Sequence, residues 1–300
     1  MLVAELIFLF LQAVFASFFS LAIKWVNNRK QDGHEEDIFV IGPINYIVAG
    51  LVSLPMFLTV PTFELSDPNF QGALLTGGVM GAIYFVAFFF VIYCVRWVGV
   101  SSTTVVAVLS ILMPIVFAAF YWNDRPDGYQ VIGIVIALIA LTLIGGKQSD
   151  VNLDRRWLAP LVLLAFFLLC GFSRIAQEAF KHVSIESQKP AFTTAAFLVA
   201  SVPSLIWLVY SVAIKKQKIR GTEIAVGVAM GLANIAQTFL VLKCFEYYSG
   251  FIVFPVTSAG AIVITTLAAT LALKERLNVR TWAGIGLAVV ALFLLNWWSN

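Results

Sequence analysis

The sequence predicts an all-α integral membrane protein of ten transmembrane helices, arranged as a 5+5 inverted repeat. Three observations carry that expectation. The chain of 300 residues is 61% hydrophobic and 12% charged, whereas a soluble domain usually has about 25% charged residues. Ten apolar stretches match, within a few residues, the roughly 20 residues of helix needed to cross hydrocarbon about 30 Å thick. Landmarks also recur in the second half: Gly77 and Gly81 form a Gly-x-x-x-Gly that Gly227 and Gly231 repeat at an offset of 150, and Cys94 and Cys244 keep that offset. One residue later in register, Gly99/Gly250, Asp124-Arg125/Glu275-Arg276 and Gly133/Gly284 match at 151.

In order, the segments are expected at 2–26, 38–60, 71–95, 100–122, 129–146, 157–180, 191–214, 223–245, 251–273 and 281–298. The first is not read as a cleaved signal peptide, because Glu5 is its only early charge and no small-residue cleavage site follows. The second carries a lone amide, Asn45; the third and eighth carry the glycine pairs; the fourth and ninth carry Pro114 and Pro255. The fifth and tenth are the shortest, yet still of spanning length. All ten are continuously apolar, whereas strands of a transmembrane barrel alternate over about ten residues, so helices are expected. Residues 1–148 and 149–300 then form two units of five segments each. Five is odd, so the second unit inserts upside down relative to the first, the arrangement of many secondary transporters, whose substrate site lies where the units meet.

Connections between segments are short, the longest running from Asn27 to Asp37 and from Lys147 to Arg156. Cys94, Cys170 and Cys244 all fall in apolar segments, so free thiols are expected. A formal charge of +3 is too small to suggest nucleic acid, and no N-x-S/T site occurs, which fits a bacterial inner membrane. Lys and Arg are concentrated in loops after odd-numbered segments. By the positive-inside rule alone, that puts both termini outside the cytoplasm. An even number of spans keeps the termini on one side.

The stretch SILMPIVFAAFYWNDRPDGYQVIGIVIALIALTLIGG (Ser110 to Gly146) and its counterpart GAIVITTLAATLALKERLNVRTWAGIGLAVVALFLL resemble the end of the EamA repeat of the drug/metabolite transporter superfamily. The shared pieces are Pro114, Asp124-Arg125 and Gly133, then Glu275-Arg276 and Gly284; FASFFSLAIKW near the start is similar to the family's first helix. The resemblance covers essentially the whole chain as two copies. It implies a carrier of small metabolites, amino acids, sugars or drugs that works by alternating access, with efflux as the expected direction. It also implies a central cavity walled by helices 1–4 and 6–9, with helices 5 and 10 to the side as scaffold or homodimer contact. Members of this family more often have both termini inside, against the count of basic residues, so the side stays open.

Polar side chains inside apolar segments are costly and usually face a cavity or a partner. The sixth segment reads GFSRIAQEAFKH and supplies Arg174, Gln177 and Glu178. Arg174 and Glu178 are four apart on one helical face and could pair. One reading makes Arg174 an anion or zwitterion anchor and Glu178 a proton acceptor; the other has both snorkel to the interface. Asn234 and Gln237, three apart near the middle of the eighth segment, bond either a polar substrate or a neighbouring helix. Tyr84 stands at the equivalent level of the third segment and with Phe88 could form an aromatic wall, or simply pack. Gln12 and Asn45 are lone mid-membrane amides. Thr257 and Ser258 follow Pro255, where hydroxyls usually bond back to their own helix.

An enzyme is not expected: His34 and His182 are the only histidines, no aspartate pair lies mid-membrane, and no P-loop or metal-ligand motif occurs. No cofactor is expected either; the partners are a small-molecule substrate and the lipid bilayer. The alternative class is a channel or a non-transporting membrane subunit. Channels usually assemble symmetrically around charged rings or a filter, whereas here the symmetry is internal to one chain. The amides, hydroxyls and aromatics suit a neutral or zwitterionic solute better than a cation.

Overall fold

A computed structural model of the chain describes residues 2–31, 37–61, 64–98, 103, 106–107, 109–145, 158–273 and 279–296. The expected start of the fourth segment at 100–102, Gly99, His34, the Glu275-Arg276 pair and the whole Lys147–Arg156 connection lie outside these residues.

Ten α-helices and no strand are found among the described residues: α1 (Leu2–Gln31), α2 (Ile38–Phe57), α3 (Pro68–Val98), α4 (Leu112–Phe117), α5 (Gly128–Gly145), α6 (Ala159–Val183), α7 (Lys189–Ala213), α8 (Gly221–Cys244), α9 (Gly250–Leu273) and α10 (Val279–Asn296). Each lies within one of the expected segments or extends it, α1 and α3 by the most. Six helices, α2, α3 and α6 to α9, are long and apolar enough to cross a membrane; the apolar stretches in α1, α4, α5 and α10 are shorter. The chain is thus an all-α, multi-pass membrane protein.

α4 is the least regular element. Pro114 removes a backbone donor inside it, and the helix widens into a π-helical turn at Ala118–Trp122. Asn123 ends that turn in the left-handed region at φ 55°, a conformation asparagine tolerates better than most side chains. Prolines inside α2, α7 and α9 (Pro43, Pro55, Pro203, Pro255) leave those helices continuous, as neighbouring helices in a bundle allow.

Side-chain contacts orient the helices. α2 and α8 begin at the same end of the bundle, called upper here. Glu223 accepts the Asp37 backbone N–H at 2.7 Å and the Arg220 N–H at 2.9 Å, so one carboxylate serves the first turns of both helices. Asp37 also caps α2 by accepting from the Phe39 N–H at 3.0 Å. α3 and α7 begin at the lower end, where Ser184 donates to the Asn69 carbonyl at 2.7 Å. α6 ends there too, with His182 stacked on Trp122 at 4.2 Å between ring centroids. α1 and α9 also start low and run together; Phe8 stacks on Tyr247, and further along Thr265 donates to the Ser17 carbonyl at 3.4 Å.

The glycine pairs set the closest approaches. A Cβ on Gly77 would run into the Phe192 carbonyl of α7, and one on Gly81 into the Ala196 carbonyl. A Cβ on Gly227 would lie 2.6 Å from Ile44 Cγ2 of α2, and one on Gly231 would lie 2.7 Å from the Asn45 carbonyl. α3 therefore meets α7 as α8 meets α2, backbone to backbone, which only small residues permit. The wider packing has the same form: α3 packs on α6 and α8 on α1, α4 packs on α6 and α9 on α1, while α2–α7 and α5–α10 pair directly.

Replacing Gly81 or Gly231 with Leu drives a side chain into a backbone carbonyl. Overpacking typically costs about 1–3 kcal/mol, occasionally more, so each detergent-solubilised variant should unfold at a lower temperature than wild type. Two unchanged melting curves would refute the close approach.

Candidate functional site

Buried polar side chains from both halves of the chain gather in the middle of the bundle. On α8, Gln237 Nε2 donates to Asn234 Oδ1 at 2.9 Å, and Asn234 Nδ2 donates to Asn45 Oδ1 of α2 at 3.4 Å. Asn45 is 0% exposed, and its own Nδ2 has no hydrogen-bond partner. An amide donor left unmatched in the interior costs about 1–3 kcal/mol, so its persistence marks a group suited to an incoming acceptor.

Tyr46 follows Asn45 and ties the amides to an aromatic group. Its hydroxyl donates to the Tyr84 carbonyl of α3 at 3.1 Å, while Gln177 Nε2 of α6 donates to the Tyr84 hydroxyl at 3.0 Å. The rings of Tyr46 and Tyr84 have centroids 6.4 Å apart; Phe88 meets Tyr46 edge-on at 6.0 Å, and Phe197 of α7 lies 6.3 Å from Tyr84. These spacings suit offset or edge-to-face aromatic contacts. Tyr84 and Asn234 stand at matching positions of α3 and α8, 150 apart, and both reach α2.

Five of the sequence-predicted residues thus fall in two bonded sets, Asn45–Asn234–Gln237 and Tyr84–Gln177, which meet at the adjacent positions Asn45 and Tyr46 of α2. The other three do not join them by direct bonds. Arg174 donates Nη1 to the Ala107 carbonyl at 3.1 Å and to the Ser110 hydroxyl, both preceding α4. Its guanidinium is therefore held by a neighbouring segment, and no ion pair with Glu178 forms. Glu178 is 1% exposed, which rules out snorkelling, and its carboxyl lies against Gly250 at the start of α9. Gln12 is 9% exposed in α1, which packs on α8 and α9, and its Oε1 has no hydrogen-bond partner.

Several contributors escaped the sequence reading. Tyr46 is one tyrosine among eight, and Ser110 one hydroxyl in an apolar run; nothing in their spacing marks them. Thr257 bonds back to the Val253 carbonyl at 2.6 Å, the bland reading of the residues after Pro255. Lys243 pairs with Glu246 at 2.9 Å. Glu246 also receives Lys189, which is 4% exposed and 3.8 Å from Glu186. Paired charge is the usual condition for burying a lysine.

Residues 5–146 match the EamA-like transporter family. An uncharacterized protein of Haemophilus influenzae is 22% identical over 254 residues, covering 80% of this chain and 85% of that relative. A solved crystal structure of another protein, 16% identical, covers 99% of this chain and 97% of its own with a TM-score of 0.74, and so shares the fold.

The Asn45–Asn234 contact is testable apart from any ligand. A double-mutant cycle with Asn45→Leu and Asn234→Leu, read by unfolding in mixed micelles, should give a coupling of about 0.6 kcal/mol, the average for hydrogen bonds between membrane helices. Zero coupling would mean the two amides do not bond.

Proposed function

On the premise of the EamA-like transporter match over residues 5–146, we propose that the chain is a secondary transporter moving a small polar metabolite by alternating access. The observation that carries this reading is the polar group of Asn45, Tyr46, Gln177 and Asn234, all buried, with half-buried Tyr84 and Gln237, contributed by α2, α3, α6 and α8. Two of these helices come from each half of the chain. A ligand held among them touches both halves, so a relative movement of the halves changes which end of the bundle it faces.

Ten spans in two inverted copies, residues 1–148 and 149–300, go with this reading. Supporting it, α1 starts at the lower end and α6 at the upper, and the helix pairings α3–α7/α8–α2, α3–α6/α8–α1 and α4–α6/α9–α1 exchange when each helix is replaced by the one five places on. α5 and α10 pack on each other and serve as scaffold. Both termini then lie on the same face of a cell membrane.

The solute we favour is neutral or zwitterionic. Four neutral amides and two phenols make up the group, and Arg174 on α6 already donates to the segment before α4. Efflux is the direction we adopt, and it too rests on the family likeness.

Thermal stability of the purified protein against amino acids, sugars, nucleosides and organic cations tests the reading. A ligand that binds only the folded state raises stability by about 2.7 kcal/mol at a hundred times Kd. One chemical class should give a shift, and Asn45→Ala or Tyr84→Phe should weaken its binding tenfold or more, equivalent to about 1.4 kcal/mol. The same compound should then show counterflow in proteoliposomes. Unsaturable conductance without counterflow would replace the carrier with a channel.

A further inference from the structure

Gln177 and Glu178 are neighbours in sequence but point to different partners. Successive residues of an α-helix are turned by about 100°, from 3.6 residues per turn; Gln177 reaches Tyr84 while Glu178 turns toward α9. The carboxyl of Glu178 lies against Gly250, the first residue of α9. A Cβ on Gly250 would meet that carboxyl, so the two groups are in close contact. One carboxyl oxygen, Oε2, is buried without a hydrogen-bond partner. Asp124, beyond the π-helical turn of α4, interacts with Glu178 as a like charge, and Ser249 donates to Asp124 Oδ1 at 3.5 Å. Lys181 and His182 are the other titratable groups near this pair, both on α6 itself; Lys181 interacts with Glu178, and His182 with Lys181 and Asp124. Neither Lys181 nor His182 lies within ion-pair distance of Glu178.

From this geometry we infer that Glu178 is a proton-binding site toward the lower end of the bundle, separate from the central amide group. A fully buried carboxylate with no cation on it and one oxygen unmatched is a costly arrangement. A proton from water, bound at Oε2, makes the acid neutral, while the other oxygen stays against Gly250. Loss of that proton restores a buried negative group at the start of α9, the turn whose Ser249 donates to Asp124. Occupancy therefore bears on how firmly α9 docks at the lower end. In a carrier, this places an exchangeable proton one residue from Gln177 in the central group; that link rests on the carrier reading, whereas proton binding itself does not.

Infrared difference spectroscopy of the full chain in lipid, stepped from mildly alkaline to mildly acidic buffer, tests the site without a transported solute. Wild type should gain a carboxylic-acid C=O band on acidification, and Glu178→Gln should lack it. Asp124→Asn removes a like charge, so the band should appear only at lower pH. A band that persists in Glu178→Gln, or a midpoint that Asp124→Asn leaves in place, overturns the assignment. Exchanging sodium for choline at constant pH should leave the band unchanged; a change would overturn the proton in favour of a metal cation. If Glu178→Gln does not fold, the midpoint in Asp124→Asn decides.

Discussion

Everything in this bundle hangs on how closely its helices can approach. Lipid tails are as apolar as leucine, so burying more leucine gains little between helices in a membrane; van der Waals packing and hydrogen bonds must hold them. Four glycines bring α3 to α7 and α8 to α2 at backbone contact. That proximity lets short side chains meet across the bundle: Asn45 lies beside the Gly231 contact, so the Asn45–Asn234 bond follows from that approach. A wider spacing would leave these polar groups facing hydrocarbon, each at a cost of several kcal/mol (about 2–7 on transfer scales). The glycines and the amides thus form one device.

α6 divides its polar side chains among three neighbours. Arg174 goes to the segment before α4, Gln177 to α3, and Glu178 to the start of α9. No two of the three share a partner. The turn between α8 and α9 is held from both sides: Glu246 by Lys189 and Lys243, and Ser249–Gly250 by Asp124 and Glu178. The upper end is fastened differently, by Glu223 accepting from the first turns of α2 and α8.

Much of the fold is legible in the sequence because membrane-length apolar runs have one main solution, and because the glycine pairs mark both copies of the same close contact. The group of Asn45, Asn234, Gln237, Tyr84 and Gln177 is legible for a related reason: an amide deep in an apolar run has few places to go. What spacing cannot supply is the identity of the neighbour. Arg174 and Glu178 share a face by the four-residue rule, yet α4 and α9 lie on either side of that face and each takes one of them. Tyr46 and Ser110 gain their roles only from what stands opposite them. The irregular end of α4 follows from Pro114 and Asn123, whose effect on the backbone depends on context beyond either residue.

Every one of the four glycine contacts joins a helix of the first five to a helix of the second five. The chain is made from its N-terminus, and domains of a large protein generally form in that order. Here the order cannot be completed half by half. α2 and α3 enter the membrane before α7 and α8 have been synthesised, so the surfaces they need do not yet exist. The same holds for the start of α2, whose Asp37 N–H is satisfied by a carboxylate 186 residues downstream. The first half must wait in the bilayer as separate helices, their glycine faces and amides uncovered, until the ribosome has delivered α8. Assembly of this protein is a late, concerted event, and its most exposed moment comes before synthesis ends.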